Sequence, residues 1–385
     1  MKTKICFVTT IAASLRTFLL KTAEALYQTG EFEIYFMANS DSEIEKEFPE
    51  FIHFIPVTMK RGIDFGLFKV ISKMKKIFQR EKFDIVQYFT PNASFYASTA
   101  ARQAKIPNRI YTQWGMLYVG FSGLKRKIFK WLEKKTCSNS TYIEVENRAN
   151  LRFSHEEKLY PESKGVVIGN GSAAGVPLER YDISKKEEFR SAVRSHHKIP
   201  DENFVFGFMG RVTRDKGINE LLSAAKKMLE KHSDATFLIV GALTDSNIST
   251  LDPELYSWAK ECSNIIFAGR TPNPEQYYAA MDCYVMPSYR EGFGMTIIEA
   301  QGMMLPVIVS EITGHDDTML PNVSGLYVPS KNSDALLEAM TELYSNKDKC
   351  IEMGKKGREY VENNFEQKKL IGLIVEARKK IINKN

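Results

Sequence analysis

Pro287-Ser288-Tyr289-Arg290-Glu291-Gly292-Phe293-Gly294-Met295-Thr296-Ile297-Ile298-Glu299-Ala300 follows an apolar run that ends at Val285-Met286. The run reads as a strand that delivers Glu291 into a loop at the C-terminal edge of a sheet. Gly292 and Gly294 let the chain turn tightly and approach a ligand closely. The apolar stretch after them reads as a helix whose free N–H groups point back at that loop, an arrangement suited to an anion. Glu299 is placed about two turns into this helix, on the face that Glu291 approaches. Taken alone, two glutamates at this spacing read first as solvated side chains. Together with the glycines and the helix start they describe a place for hydroxyl groups beside a phosphate, the chemistry of a nucleotide sugar.

Working outward, strand-like and helical runs alternate along the whole chain. Ile5–Thr10, Ile34–Met37, Ile52–Val57, Ile85–Tyr88, Arg109–Thr112, Tyr142–Val145 and Val166–Ile168 read as strands in the first half. Val205–Met209, Thr236–Val240, Ile265–Ala268, Cys283–Met286, Val307–Val309 and Gly325–Val328 repeat the pattern. Ser14–Gln28 reads as a helix with Leu15, Phe18, Leu19, Ala23 and Leu26 on one face. Alternation of this kind predicts an α/β chain with parallel sheets and crossover helices. A polar, turn-rich stretch from Gly169 to about Asn203 divides it into two Rossmann-like halves. The expected organisation is a first domain over 1–170, a linker over 171–202, a second domain over 203–362, and a basic helix over 363–385 that crosses back to the first.

The 385 residues suffice for two full cores. Five cysteines, scattered and never in a Cys-x-x-Cys pair, argue against a disulfide framework and a zinc site. The opening Met1–Val8 reads as a first strand rather than a signal peptide, and no stretch has the length of a membrane span, so a cytoplasmic location is expected. Charge is uneven. Residues 1–200 carry 32 Lys and Arg against 21 Asp and Glu, a net of +11, whereas the remainder carries 21 against 26, a net of −5. That asymmetry speaks of an anionic partner for the first half.

A second constellation is Gly207-Phe208-Met209-Gly210-Arg211-Val212-Thr213-Arg214-Asp215-Lys216-Gly217. A strand ends in glycine, an arginine follows at once, and a lysine lies five residues on, before a helix. The planar guanidinium and the compact ammonium suit a diphosphate, whose negative charge grows as a sugar leaves it.

These two stretches resemble the signature of the retaining, nucleotide-sugar-dependent glycosyltransferases of family 4. The resemblance covers nearly the full length and extends to bacterial capsule and surface-polysaccharide members, through Ile168–Ser172 and Tyr181-Asp182. It implies the GT-B fold, two Rossmann-like domains facing each other across a cleft. It also implies roles: Arg211 and Lys216 on the donor diphosphate, Glu291 on the sugar ring and Glu299 on the ribose hydroxyls. Gly210 and Gly241 would bring backbone near the nucleotide, Arg270 and Thr271 would hold the base, and Phe293, Gly294 and Met295 would offer backbone amides. A nucleotide sugar, UDP-linked by family weight although GDP donors occur, would be the co-substrate, with no further cofactor. The chain contains no Asp-x-Asp, and Asp316-Asp317 is expected to flank a helix, so no metal is expected.

The first half departs from the family pattern. The Gly-Gly turn after the first strand is absent from Thr9-Thr10-Ile11-Ala12-Ala13-Ser14, which leaves Thr10 and Ser14 as candidates there. The Tyr-Thr-x-His-Gly histidine is replaced in Tyr111-Thr112-Gln113-Trp114-Gly115, so Gln113 or Trp114 stands in its place, either against an acceptor or in the core. None of the six histidines fits a motif. Lys60–Lys82 and Tyr118–Lys135 interleave Lys and Arg with apolar residues at helical spacing, either as ordinary surface helices or as faces for an anionic membrane. The expected acceptor is a polyprenyl-diphosphate-linked saccharide at the inner face of the cell membrane, with no role for nucleic acid. A soluble acceptor, a GT-B epimerase or a non-catalytic sugar-binding subunit are the alternatives.

Overall fold

A computed structural model describes residues 2–60 and 66–383. The strands are β1 (Thr3–Ile11), β2 (Phe32–Asn39), β3 (Ile52–Pro56), β4 (Ile85–Tyr88), β5 (Asn108–Gln113), β6 (Tyr142–Val145), β7 (Phe204–Met209), β8 (Ala235–Val240), β9 (Ile265–Gly269), β10 (Cys283–Met286), β11 (Val307–Ser310) and β12 (Gly325–Val328). They form two parallel six-stranded sheets, in the orders β3-β2-β1-β4-β5-β6 and β12-β11-β10-β7-β8-β9. In each sheet the order reverses beside the first strand, between β1 and β4 and between β7 and β10. Loops at the C-terminal ends of the strands flanking such a reversal splay apart and leave a crevice, the usual ligand position of open α/β sheets. The central strands are largely apolar and buried because helices cover both faces.

The chain divides into two units, 1–174 with 368–385 and 175–367. The first boundary corrects the expected linker over 171–202. Within it the helix Lys186–His196 belongs to the second unit, where Tyr181, Val193 and Ile199 join the core. Arg194 of that helix is buried and binds Asp282 at 2.7 Å, so an apparently polar segment is anchored by a guanidinium. Val166–Ile168 also differs from the expectation. Only Val166 makes a bridge, to Glu144 on the outer edge of β6, and the chain turns away after it.

The last helix, Gln367–Ile382, is part of the first unit from Lys368 onward. Its Arg378 reaches Glu144 on β6 with bonds of 2.5 and 2.7 Å, and its Nε donates to Gln87 on β4. Ile381 joins the core formed by β1, β2 and the helix Leu20–Gln28. The segment before that helix is not a uniform α-helix: Leu15–Leu19 winds as a π-turn, burying Leu15 and Leu19.

The two basic segments differ. The helix Leu67–Glu81 buries Ile71, Met74, Ile77 and Phe78 and exposes Lys69, Lys73 and Lys76, whereas Arg61 and Asp64 of the same expected face lie outside the described residues. The helix Gly123–Asn139 buries Glu133, Thr136, Cys137 and Asn139 but leaves Leu124 at 73% and Trp131 at 59% exposure. No helix among the described residues is long and apolar enough to cross a membrane. Cys6, Cys137, Cys283 and Cys350 are buried and unpaired, as small apolar side chains.

Candidate functional site

Strands β7 and β10 are hydrogen-bonded neighbours, with Phe206 opposite Cys283 and Gly207 opposite Tyr284. The loops that leave their C-terminal ends therefore start side by side, and these are the two loops that the sequence singles out. They are stitched together: the Tyr289 N–H and the Ser288 hydroxyl both donate to the Asp215 carbonyl, at 2.9 and 3.3 Å. Gly217 sits at φ +74°, and a Cβ there would lie 2.0 Å from the Pro287 carbonyl oxygen, so only glycine lets the loops meet.

That contact aims Lys216 at Glu291. Their ammonium and carboxylate form an ion pair whose side chains are only 14% and 15% exposed. Arg211 is exposed and held by Asp215 at 3.1 Å. Burial works against the charge on Asp215, but the Thr213 hydroxyl, bonded at 2.6 Å, and the cations Arg211, Lys216 and Arg290 outweigh it and hold the carboxyl below its ordinary range. Gly210 follows β7 and donates to the Val240 carbonyl, and Gly241 follows β8. A Cβ at 241 would approach the Gly210 carbonyl oxygen to 1.9 Å, so backbone packs on backbone here.

Glu299 lies on the helix Met295–Gly302, a little over one turn from its start rather than two, because the helix begins only after Gly294. It is partly buried and accepts a bond of 3.0 Å from the Tyr278 hydroxyl. Burial pushes its carboxyl up to about 7, against the opposing effects of Tyr278, Arg180 and Tyr181. Glu291 and Glu299 thus do not share a partner: one faces a lysine and the other a tyrosine.

Two of the three expected backbone amides are bonded within the chain. Gly294 N–H donates to the Gly314 carbonyl and Met295 N–H to the Phe293 carbonyl, so neither is open to a ligand. The Met295 bond closes the tight turn into the helix, and the Gly294 bond ties that turn to the segment after β11. The Phe293 ring fills the core against Phe365 at 5.5 Å. Arg270 and Thr271 follow Gly269 at the end of β9, where Arg270 is exposed and the Thr271 hydroxyl caps the turn by accepting from Asn273 N–H.

One residue near the site carried no sequence signal. His315 lies in the turn after β11, fully buried. Its Nδ1 contacts the Ser310 carbonyl at 2.8 Å, which requires Nδ1 to carry the proton and leaves Nε2 as a bare acceptor. Nε2 has no hydrogen-bond partner. A Cβ on Gly294 would come within 3.2 Å of this ring, so His315 lies directly beneath the loop that presents Glu291. Burial pushes the imidazole down to about 4, with Glu291 pulling the other way.

The candidates in the first unit are tied into structure. Thr10 is buried and bonded to Thr90 through both its N–H, at 2.9 Å, and its hydroxyl, at 2.7 Å, across the β1/β4 reversal. Ser14 ends the short helical turn Ala12–Ser14. Gln113 is corrected from an acceptor candidate to a core residue: its Nε2 donates to Glu133 and its Oε1 accepts from Ser154, with no exposed surface. Trp114 packs against Phe18 and Phe89, at centroid distances of 5.1 and 4.7 Å. The Asp316-Asp317 pair lies in a turn rather than beside a helix, and no group of three His, Cys, Asp or Glu among the described residues is arranged to hold a metal.

Comparisons with known proteins bear on the family and the fold. Residues 189–360 match the model of the group 1 glycosyl transferases, and residues 4–147 match a glycosyl transferase 4-like model. The capsular polysaccharide biosynthesis glycosyltransferase CapM of Staphylococcus aureus is 30% identical over 94% of this chain and 93% of its own length. An Escherichia coli UDP-Gal:alpha-D-GlcNAc-diphosphoundecaprenol alpha-1,3-galactosyltransferase is 26% identical over 77% and 75%. Anabaena HepE, solved in complex with UDP, superposes with a TM-score of 0.79 at 17% identity, covering 99% of this chain and all of that one. The chain belongs to the family 4 glycosyltransferases, enzymes of the GT-B fold that transfer sugars.

Proposed function

We propose that this glycosyltransferase moves a sugar from a UDP-sugar to a polyprenyl-diphosphate-linked saccharide, with retention at the anomeric carbon, during assembly of a capsule or related surface polysaccharide. The observation that carries the reading is the Lys216–Glu291 pair at the β7/β10 reversal, a cation prepared for phosphate beside a carboxylate prepared for hydroxyls. The similarity to CapM supports the polysaccharide context, that to the galactosyltransferase supports a lipid-linked acceptor, and the UDP held by HepE supports the nucleotide.

In this mechanism Arg211 and Lys216 hold the donor diphosphate and Glu291 receives hydroxyls of the sugar. Glu299 receives the ribose hydroxyls, and Arg270 and Thr271 border the base. The acceptor oxygen bonds to the anomeric carbon from the side on which the carbon–phosphate-oxygen bond breaks. The acceptor proton passes to an oxygen of the departing diphosphate. Charge building on that diphosphate is met by Arg211 and Lys216, so turnover is expected without a divalent metal; abolition by a chelator would overturn that point. The exposed lysines of the first unit would hold the enzyme at the anionic inner face of the membrane.

The test offers the purified protein UDP- and GDP-sugars, with and without polyprenyl-diphosphate-linked mono- and disaccharides, and reads products by mass spectrometry. A lipid product heavier by one sugar, with its anomeric configuration kept, is expected. Transfer to soluble sugars alone would overturn the lipid-linked acceptor.

A further inference from the structure

The first unit holds a cavity of about 400 Å³ with a mainly apolar wall. Its walls are the helices Leu67–Glu81, Pro91–Gln103 and Gly123–Asn139, through Phe68, Ile71, Phe95, Ile128, Phe129 and Trp131. The polar side chains on the wall mostly bond elsewhere: Thr99 to the Phe95 carbonyl, Thr136 to the Leu132 carbonyl, Glu133 to Tyr111 and Gln113. At the mouth, Phe68 is 74% exposed and Trp131 59%, and Ile128 is exposed beside it. Large apolar side chains left to water on two neighbouring helices mark an interaction site.

The rim is cationic. Lys127, Lys134 and Lys135 stand three or four residues from Trp131 on the helix surface, and all three are exposed. No carboxylate among the described residues pairs with them. On the facing helix Lys69 adjoins Phe68, and Lys75 returns to its side two turns on. By contrast Arg126 and Lys130, on the same helix as Trp131, are already neutralised by Glu157. A mainly apolar cavity with free ammonium groups at its mouth matches one amphiphile: a hydrocarbon chain that carries a phosphate at its end.

We propose that this cavity seats the proximal part of the isoprenoid chain of the lipid-linked acceptor, with its diphosphate among Lys127, Lys134 and Lys135. The proposal rests on the lipid-linked acceptor put forward above. The chain is drawn out of the bilayer into the protein, so the enzyme selects the lipid carrier as well as the saccharide. A surface that merely rests on a membrane needs the exposed residues but not the cavity behind them.

The test uses the full chain and a polyprenyl diphosphate that carries a photoreactive diazirine on an isoprene unit near the phosphate. Irradiation and peptide mapping are expected to place the label within 67–81, 91–103 or 123–139. Unlabelled polyprenyl diphosphate should compete, and phosphatidylglycerol vesicles should not. Trp131→Gln, and Ile128→Gln with Trp131→Gln, should reduce labelling about tenfold or more while nucleotide-sugar affinity, the check on folding, stays unchanged. Labelling elsewhere, equal competition by phosphatidylglycerol, or full labelling of both variants would overturn the proposal. Elongation of a lipid-linked saccharide is scored separately. Turnover with the label elsewhere removes the cavity alone; label in the cavity without any lipid-linked product removes the acceptor reading of the proposed function.

Discussion

The ammonium of Lys216 and the carboxylate of Glu291 are paired although 75 residues separate them, and both side chains are largely withdrawn from water. Neighbouring strands β7 and β10 bring their loops together, and Gly217 against Pro287 sets the approach. A cation held this way needs little reorganisation when a diphosphate arrives. Lys216→Ala is expected to lower kcat about a hundred- to a thousandfold, the usual cost of one group that stabilises a developing charge. Glu291→Gln should also impair turnover, and the double variant should lose less than the sum of the two because the residues act as a unit. Initial rates of the three variants decide it: unchanged turnover in Lys216→Ala would remove the lysine from the mechanism.

In the proposed function, Glu299 makes donor binding depend on pH. Its carboxyl is pushed up to about 7, so the proton is retained through weakly acidic conditions and the carboxylate forms as pH rises through that value. Only the carboxylate can accept from two ribose hydroxyls. Affinity for a nucleotide sugar is therefore expected to rise about tenfold between roughly pH 6 and pH 8, as the ionised fraction grows. Calorimetric titration across that range is the measurement. Glu299→Gln should bind weakly at every pH, with a flat profile; a profile as steep as the wild type's would assign the titration to another group.

His315 links stability to pH in the opposite sense from a salt-bridged histidine. Its pKa is about 4 in the folded protein against 6.5 unfolded, so below pH 6.5 the unfolded chain takes up the proton first. Stability is complete above 6.5 and falls as pH drops toward 4. The loss between roughly pH 7 and pH 5 is about 2 kcal/mol from this residue. Denaturant titration of the wild type and of His315→Gln at both pH values measures it. The variant should lose about 2 kcal/mol less than the wild type across the interval, and equal losses would refute the assignment.

Arg378 fastens the last helix to β6. It is 1% exposed and Glu144 9%, with two bonds between them. Arg378→Ala leaves a buried carboxylate unpaired and should destabilise the first unit by about 3–5 kcal/mol. Replacing both residues by leucine should recover much of the loss. Limited proteolysis in the last twenty residues and the denaturation midpoint report the effect; donor affinity, which the proposed function assigns to residues of the second unit, should not change.

The sequence by itself determined the strands and the two loops that matter. Apolar runs bounded by turn residues are local signals, and Ile85–Tyr88, Tyr142–Val145, Cys283–Met286 and Gly325–Val328 occupy the stretches that those signals mark. Val166–Ile168 has the same composition but meets the edge of β6 through Val166 alone, which no local pattern reports. Motif residues such as Arg211, Lys216 and Glu291 were legible because glycines and charges at fixed spacing name a chemistry before any folding. Only the tertiary structure decided which partner each side chain meets. It gave Lys216 to Glu291, Glu299 to Tyr278 and the amide of Gln113 to Glu133 and Ser154. It also brought a histidine with no motif beneath the Glu291 loop and left Trp131 in water instead of in the core. The reason is physical. Periodicity fixes which face of an element is apolar, but burial and hydrogen-bond pairing depend on what the rest of the chain places against that face.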